Sequence, residues 1–222
     1  MKKSEAENLV ISEGLFPVNK PKNRTSFSLV AALRRLTGIK KIGHAGTLDP
    51  FATGVMVMLI GKNYTRQSDK LMGQDKEYLA TLHLGIETDS FDIDGKIIAQ
   101  NPFVPSLTEV EEAVACFQGT MLQTPPMFSA KKVKGKKLYE LARKGIEIER
   151  AAATIQLKTE LISYGYPHLQ LKIQCSKGTY IRTIAHDLGA KLNTGAHLSA
   201  LVRTRSGDFC LEDCFDGELL LD

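Results

Sequence analysis

Residues 43–54 read GHAGTLDPFATG and place one histidine and one aspartate among three glycines, two threonines and a proline. Pro50 restricts the preceding Asp49 to extended backbone geometry, which fixes the direction of its carboxylate. The apolar run VMVMLI at 55–60 follows directly and predicts a buried strand that would hold the loop rigidly. An isolated Asp-Pro pair more often marks an ordinary turn in which the aspartate bonds its own backbone, so the local pattern leaves both interpretations open.

The composition is that of an ordinary globular protein. Hydrophobic residues make up 43% and charged residues 24% of the 222 positions, which excludes a disordered chain and allows one large domain or two small ones. No apolar run reaches the roughly 18 residues of a membrane span, and MKKSEAENLV at the N-terminus lacks the core of a signal peptide, so we predict a cytoplasmic protein. P-loop and GxSxG motifs are absent from the sequence, which argues against nucleotide-dependent and serine-hydrolase chemistry.

The cysteines show no paired CxxC spacing. Cys210 and Cys214 would supply two metal ligands, but no second pair or nearby histidine completes a site. We therefore predict reduced, mostly buried thiols and no bound metal. The four residues are Cys116, Cys175, Cys210 and Cys214.

Charge is distributed unevenly along the chain. The formal net charge is +4, but the segment 208–222 holds six acidic residues and no basic one, which leaves 29 bases against 19 acids in residues 1–207. The segment 131–150 alone holds eight bases and three acids. Such a cluster suits the binding of phosphate groups, although a solvated lysine-rich face has the same composition.

Hydrophobic periodicity predicts a mixed α+β fold, with a largely antiparallel mixed sheet flanked by helices. Residues 76–84 alternate as a half-buried strand does, with Tyr78 on the apolar face. Thr108 and Glu111 have the spacing of a capping box, which predicts a helix that starts there and ends near Gly119. Further helices are predicted at 27–37 (capped by Ser26 and ended by Gly38), 137–144 and 180–192, strands at 153–164 and 168–175, and a turn-rich loop at 87–95.

The loop at 43–54 closely resembles the catalytic motif of the TruB family of tRNA pseudouridine synthases. One departure from the family pattern is Asn23, where glycine is usual; asparagine also tolerates left-handed geometry, so the turn is expected to persist. Other segments resemble further family motifs and extend the likeness along almost the whole chain: Lys20-Pro21 with Thr25-Ser26, Lys76-Glu77-Tyr78, 124–130 with Gly135, Tyr139, Ala142-Arg143 and Gly145, 177–182, and 195–203.

The resemblance implies an isomerase that converts uridine 55 in the T loop of tRNA to pseudouridine, in the pseudouridine-synthase catalytic fold and without a cofactor or metal. Asp49 would be the essential carboxylate, acting as nucleophile or as base beside the sugar–base junction. Arg182 would hold that carboxylate charged and oriented, although a helical arginine more often makes an ordinary salt bridge. Tyr78 would stack on the flipped uracil, although a strand tyrosine more often lies in the core.

Four further residues are implied in substrate binding. Tyr180 and Leu201 would wall the base pocket, and a core position explains Leu201 almost as well. His44 would contact the RNA at the flipped site and fill space rather than transfer protons; taken alone, it would be a structural histidine. Lys20 resembles a motif lysine whose role is mainly structural or electrostatic.

The motifs predict a polar lead-in at 1–13, a catalytic domain at 14–207 and an acidic tail at 208–222. Such enzymes often carry a C-terminal RNA-binding domain called PUA, and the tail is too short for a complete one. The expected partner is the T stem-loop of tRNA, with its phosphates held by residues 131–150. We expect a monomer that requires no protein partner.

Two rival interpretations use the same features. A non-catalytic RNA-binding protein would need the basic face but not the carboxylate, so the joint presence of Asp49, Tyr78 and Arg182 favours the enzyme. A pseudouridine synthase directed to another RNA by guiding proteins would resemble this chain around Asp49. The absence of further domains in the sequence argues against that interpretation.

Overall fold

The computed structural model describes residues 12–129, 131–133 and 135–221. These residues form two compact units. The first unit combines the described residues up to Leu79 with those from Leu201 onward, and the second is Ala80–Ala200. The predicted lead-in at 1–13 lies almost entirely outside the described residues.

Strands and short helices alternate along the described chain. The helices are α1 (Ser26–Thr37), α2 (Lys62–Thr65), α3 (Ser68–Met72), α4 (Leu107–Ala115), α5 (Leu138–Ala142) and α6 (Ile181–Lys191), with 3₁₀ turns at Leu211–Asp213 and Gly217–Leu220. The strands are β1 (Gly14–Lys20), β2 (Ile42–His44), β3 (Thr53–Ile60), β4 (Lys76–Leu84), β5 (Ile86–Thr88), β6 (Ile97–Gln100), β7 (Gln118–Gln123), β8 (Lys132–Val133), β9 (Lys136–Lys137), β10 (Ala153–Gly165), β11 (His168–Cys175), β12 (Ala196–Ser206), β13 (Phe209–Cys210) and β14 (Phe215–Asp216).

Ten of these strands form one mixed sheet in the order β14-β1-β3-β12-β4-β11-β10-β7, with β2 beside β3 and β13 beside β12. Most of the recorded pairings are antiparallel, while β1 with β14 and β3 with β12 are parallel. Two small hairpins, β5–β6 and β8–β9, lie outside this sheet. The predicted α+β class with a largely antiparallel mixed sheet is confirmed.

The hydrophobic patterns locate the main strands correctly. The apolar run at 55–60 is the buried strand β3, whose residues from Gly54 to Ile60 are all buried. Strand β4 alternates strictly between buried and half-buried residues, as the sequence predicts for 76–84. A long hairpin of β10 and β11 confirms the strands predicted at 153–164 and 168–175.

Two predicted helix starts are wrong by one or two residues. The N-cap of α1 is Thr25, whose side chain accepts from the Ser28 amide at 3.1 Å, while Ser26 turns into the interior. The capping box of α4 is formed by Ser106 and Glu109 rather than by Thr108 and Glu111, and the helix ends at Ala115. Several hydroxyl residues compete at both positions, and only the side chain that faces the free amides acts as the cap.

The acidic tail packs against the first unit. Strand β14 pairs in parallel with β1, and the rings of Phe16 and Phe215 lie 5.5 Å apart. Leu220 is almost completely buried, and Gly217 packs so closely against the Asn19 carbonyl that a side chain would overlap it. These contacts place the tail beside the C-terminal end of β1, whose last residue is Lys20.

Cysteine burial differs from the prediction. Cys175 is buried, Cys210 and Cys214 are half-buried, and Cys116 is exposed at the end of α4, so one thiol rather than most is buried. All four are free thiols. Cys116 follows an amphipathic helix whose opposite face carries the burial, which cysteine counting does not reveal. Among the described residues, no helix is long and apolar enough to cross a membrane.

Candidate active site

Lys20 anchors the backbone on one side of Asp49. This lysine is 0% exposed, and its ammonium donates to the carbonyls of Pro21 at 2.8 Å, Arg24 at 2.7 Å and Pro50 at 3.1 Å. Burial lowers the pKa of Lys20 to about 8; the charge of Asp49 opposes this shift, and that of Arg203 adds to it. Lys20 therefore holds three backbone carbonyls close to Asp49, and its place among the substrate-binding residues stays a prediction.

Asn23 supports the same backbone. Its φ of 60° is the left-handed conformation anticipated from the glycine that the family usually has there. In this conformation the Asn23 amide donates to the Pro50 carbonyl at 2.8 Å. Lys20 and Asn23 therefore share one acceptor, and the carbonyl of the residue after Asp49 is held from two directions.

Ser26 holds the other side of Asp49. Its hydroxyl donates to the Leu48 carbonyl at 3.1 Å and accepts from the Leu48 amide at 3.1 Å. Because Ser26 begins α1, these two bonds join the loop to a helix. The half-buried Asp49 thus lies between two residues whose backbone groups are fixed, as the positioning of a reacting carboxylate requires.

Arg203 braces the loop from β12. It is 1% exposed, and its guanidinium donates to the carbonyls of Val55 at 2.6 Å and Gly46 at 3.1 Å. Gly54, with a φ of 104°, packs so closely on the Arg203 backbone that a Cβ there would overlap it. Sequence analysis places Arg203 in a family motif without assigning it a role; the available signal is an arginine directly after the apolar stretch 200–202.

His44 lies at the end of β2 beside this arginine. Its Nδ1 is buried and has no hydrogen-bond partner among the described residues. Burial lowers the pKa of His44, and the positive charge of Arg203 lowers it further. Both effects favour a neutral imidazole at neutral pH, which suits contact with a substrate better than a role as a cation.

Tyr78 and Leu201 belong to the same unit as Asp49. Tyr78 is 8% exposed on the buried face of β4, and Leu201 is 6% exposed in β12. Both residues are therefore largely withdrawn from solvent, as either a core position or the wall of a base pocket requires. Lys20, His44 and Asp49 complete the predicted site residues of the first unit.

Arg182 lies in the second unit and is nearly buried at the start of α6. Its guanidinium contacts the Asp92 carboxylate at 3.2 Å and donates to the carbonyls of Ser90 at 3.2 Å and Phe128 at 2.7 Å. Asp92 also accepts from the Ser90 hydroxyl at 2.5 Å and from the Asp94 amide at 3.1 Å. The guanidinium plane is therefore fixed by several acceptors.

Asp92 is the functional candidate that sequence analysis missed. The sequence of 87–95 predicts only a turn-rich loop, although the buried Asp92 within it needs a buried cation. An acid-rich turn was the available signal.

Gln123 fixes Tyr180, the other predicted site residue of the second unit. The Tyr180 amide donates to the Gln123 side chain at 2.7 Å, and the Gln123 amide donates back to the Tyr180 carbonyl at 3.0 Å. The half-buried Tyr180 is the residue that precedes α6, so its backbone is set two residues before Arg182. Gln123 was not singled out from the sequence.

The basic segment 131–150 is described in part. Lys131, Arg143 and Lys144 are exposed, and Arg143 lies over the Tyr139 ring at 5.4 Å. Arg150 is paired with Glu147 at 2.9 Å, so it is partly neutralised. The side chains of Lys132, Lys134, Lys136 and Lys137 lie outside the described part of the structure.

Two family models together match residues 34–222. The model for the N-terminal domain of TruB family pseudouridylate synthases matches 34–181, and the model for the C-terminal domain of tRNA pseudouridylate synthase B matches 182–222. The tRNA pseudouridine synthase B of Protochlamydia amoebophila is 62% identical over 92% of this chain and 78% of the relative. The chain belongs to the TruB family of pseudouridylate synthases.

A second relative and two solved structures agree with the TruB assignment. The tRNA pseudouridine synthase B of Chlamydia pneumoniae is 59% identical over 95% of this chain and 89% of its own length. A chain in the crystal structure of a Cbf5-Nop10-Gar1 complex matches with a TM-score of 0.71 and 26% identity, over 97% of this chain. This chain spans 54% of that longer one. A pseudouridylate synthase structure that is 18% identical, with a TM-score of 0.50, shares the fold.

TruB membership makes the chain an isomerase and confirms the predicted pseudouridine-synthase fold. The residue roles are not decided by membership, and they are taken up below as proposals.

Replacing Lys20 with methionine tests its structural role. Methionine has a similar length but cannot donate, so three backbone carbonyls, one buried and two partly buried, lose their charged donor. We expect the free energy of unfolding to fall by about 3 kcal/mol or more, measured by urea denaturation. The matched control is Lys22→Met, an exposed neighbour that is expected to change stability by roughly 0.5 kcal/mol or less. Equal stability of the two variants would contradict the anchoring role.

Proposed function

We propose that the protein isomerises uridine 55 in the T loop of tRNA to pseudouridine, with Asp49 as the essential carboxylate. The relatives called tRNA pseudouridine synthase B support the tRNA substrate. The observation that carries the proposal is the fixation of Asp49: Ser26 holds the residue before it, and Lys20 and Asn23 hold the residue after it.

The isomerisation leaves the elemental composition of the nucleotide unchanged. The bond between N1 of uracil and C1′ of ribose breaks, the base rotates, and a bond between C5 and C1′ forms. The hydrogen on C5 is lost to solvent, and N1 gains one. A carboxylate beside C1′ serves this chemistry either as a nucleophile that traps the sugar or as a base that removes a proton.

The uracil must leave the stack before it can react. A base inside a folded loop is inaccessible, so it is flipped into a pocket and held between apolar or aromatic side chains. We assign the stacking face to Tyr78 and further pocket walls to Tyr180 and Leu201. Tyr78 and Leu201 are nearly buried and Tyr180 is half-buried, which supports these roles because side chains withdrawn from water offer a dry contact surface for a base. His44 fills the space that the flipped nucleotide leaves, and its preference for the neutral form supports this role.

Arg182 is assigned to electrostatic support of the reacting carboxylate. Its guanidinium is held in one plane by Asp92 and two backbone carbonyls. A donor that is already oriented loses little freedom when the substrate arrives, which is the advantage of a preorganised site. Asp92 acts through Arg182 and is therefore a positioning residue.

Phosphate binding is assigned to the exposed cations of 131–150, among them Lys131, Arg143 and Lys144. When surface cations bind RNA, they displace the counterions that surround its phosphates. The affinity for RNA therefore falls as the salt concentration rises. We propose that the T stem-loop is the RNA partner and that the protein acts as a monomer without a protein partner.

Position-resolved mapping of pseudouridine tests the proposal. Purified protein is incubated with a tRNA transcript that carries no modification, and with the same transcript carrying cytidine at position 55. We expect pseudouridine at position 55 of the first transcript and at no position of the second. Modification at a different uridine, or only in another RNA, would refute the assigned substrate.

A metal is not expected to take part. The reaction transfers no electrons, and the described residues contain no group of three metal-ligating side chains. We expect pseudouridine formation at unchanged rate after dialysis against a chelator, provided that the tRNA is folded beforehand and its folding is checked. Activity that is lost on dialysis and restored by one particular divalent ion would contradict this prediction.

A further inference from the structure

Helix α1 carries an exposed cationic surface that the proposed function leaves unused. Residues 14–48 contain seven lysines and arginines and no acidic residue. Apart from the buried Lys20, these cations are all exposed. They are Lys22, Arg24, Arg34, Arg35, Lys40 and Lys41.

Few of these charges are used inside the protein. Arg34 donates to the Ile42 carbonyl at 3.1 Å. Within the described residues, the side chains of the other five make no hydrogen bond and no ion pair. Unpaired cations on one surface repel each other, so their clustering favours a polyanionic partner.

An exposed aromatic ring lies among these cations. Phe27 is 65% exposed, and the Arg34 guanidinium lies 6.0 Å from its ring centre. Phe27, Ala31 and Arg34 occupy one helical face, while Leu29 and Leu33 are buried on the other. Phe27 therefore contributes nothing to the core, and an aromatic ring bordered by cations suits an unpaired nucleobase.

We call Lys22, Arg24, Phe27, Arg34 and Arg35 the α1 stripe, and Asn23 and Ser26 at its N-terminal end are bonded to the candidate active-site loop. Asn23 bonds the Pro50 carbonyl, and Ser26 bonds the Leu48 backbone, so the stripe begins at the residues on either side of Asp49. From there, the 12 residues of α1 extend about 18 Å. An RNA whose uridine lies at Asp49 would therefore contact the stripe with the nucleotides that flank this uridine.

We propose that the α1 stripe binds a segment of the substrate RNA that flanks the reacting uridine, with its phosphates on Lys22, Arg24 and Arg35 and an unpaired base on Phe27. The proposal rests on the proposed function, since the substrate must be an RNA. A length of about 18 Å accommodates roughly five nucleotides of one strand at about 3.4 Å each. The phosphate contacts are independent of sequence, and the stacked base tolerates any identity.

Salt-dependent binding of full-length tRNA tests the cationic part of the stripe. Lys22→Gln/Arg35→Gln removes two charges that hold nothing in the described fold. We expect its Kd to rise at least roughly tenfold at about 0.1 M salt, and the slope of log K against log salt to shrink by about 1.5. The matched control Lys96→Gln/Lys158→Gln removes the same charge from exposed sites in the second unit. Equal tRNA affinities and equal salt slopes for the two double variants would overturn the proposal. That result would hold even if the stripe bound an acidic protein, because the proposed ligand is RNA.

The aromatic part has its own comparison. Phe27→Ala is expected to weaken tRNA binding roughly fivefold or more, and Phe27→Tyr to keep parental affinity because it retains a ring that stacks. Equal affinity of the alanine and tyrosine variants would remove the stacked base from the proposal. Pseudouridine at position 55 is measured with the parent protein in the same reactions. If the parent protein forms no pseudouridine at position 55, the proposed function is refuted. If the parent protein is active but the stripe variants bind tRNA as tightly as it does, only this inference is refuted.

Discussion

Asp49→Asn is expected to reduce pseudouridine formation to below about a few per cent of the parental rate. Asparagine keeps the shape of the side chain and loses the charge, so it can act neither as a nucleophile nor as a base. The backbone supports of the loop do not involve the Asp49 side chain, and the fold is therefore expected to persist. The affinity for tRNA should stay within roughly tenfold, because phosphate contacts elsewhere dominate binding.

Single-turnover rates with saturating enzyme measure this effect without interference from binding. Asp208→Asn, an exposed acid in the tail, serves as the control for the loss of one negative charge. It should keep parental rates. An Asp49→Asn variant that retains more than a few per cent of the rate would show that the essential group lies elsewhere.

Arg182→Lys is expected to lower the single-turnover rate roughly a hundredfold, with little change in tRNA affinity. Lysine keeps the charge but lacks the planar fork, so one ammonium cannot reproduce the contacts with Asp92, Ser90 and Phe128. The remaining cation would sit away from its present position, and electrostatic support of the reaction would weaken.

Two controls separate this effect from unfolding and from RNA binding. Circular dichroism and thermal denaturation of Arg182→Lys show whether the fold is retained. Arg66→Lys makes the same exchange at an exposed position outside the proposed RNA contacts and is expected to leave the single-turnover rate unchanged. A parental rate combined with weakened binding in Arg182→Lys would assign Arg182 to the RNA-binding surface instead.

Local patterns in the sequence predict most of the regular structure. The alternation in β4, the apolar run of β3 and the hairpin of β10 and β11 all depend on which face of a strand is buried, and this is visible in the order of the side chains. Helix caps depend on which of several neighbouring hydroxyls faces the free amides. The sequence for this reason predicts Ser26 as the cap of α1, whereas Thr25 is the cap and Ser26 bonds Leu48, 22 positions away.

The residues that support the candidate site are less visible in the sequence because their partners lie far away along the chain. Arg203 reaches the Gly46 carbonyl across 157 positions, and Gln123 brackets Tyr180 across 57. Such pairs follow from the tertiary fold, and no periodicity in the chain indicates them. Asp49, Tyr78 and Arg182 are predicted as site residues because whole motifs resemble a known family, whereas Asp92, a partner of Arg182, lies in a turn whose sequence indicates no site.

Release of hydrogen from C5 tests the central claim most directly. The substrate is a folded tRNA whose single tritiated uridine stands at position 55 and carries the label on C5. Formation of the bond between C5 and C1′ must expel this label into the solvent. The account predicts stoichiometric release of tritium with the parent protein and almost none with Asp49→Asn. Retention of the label with saturating parent enzyme, or equal release with Asp49→Asn, would contradict it.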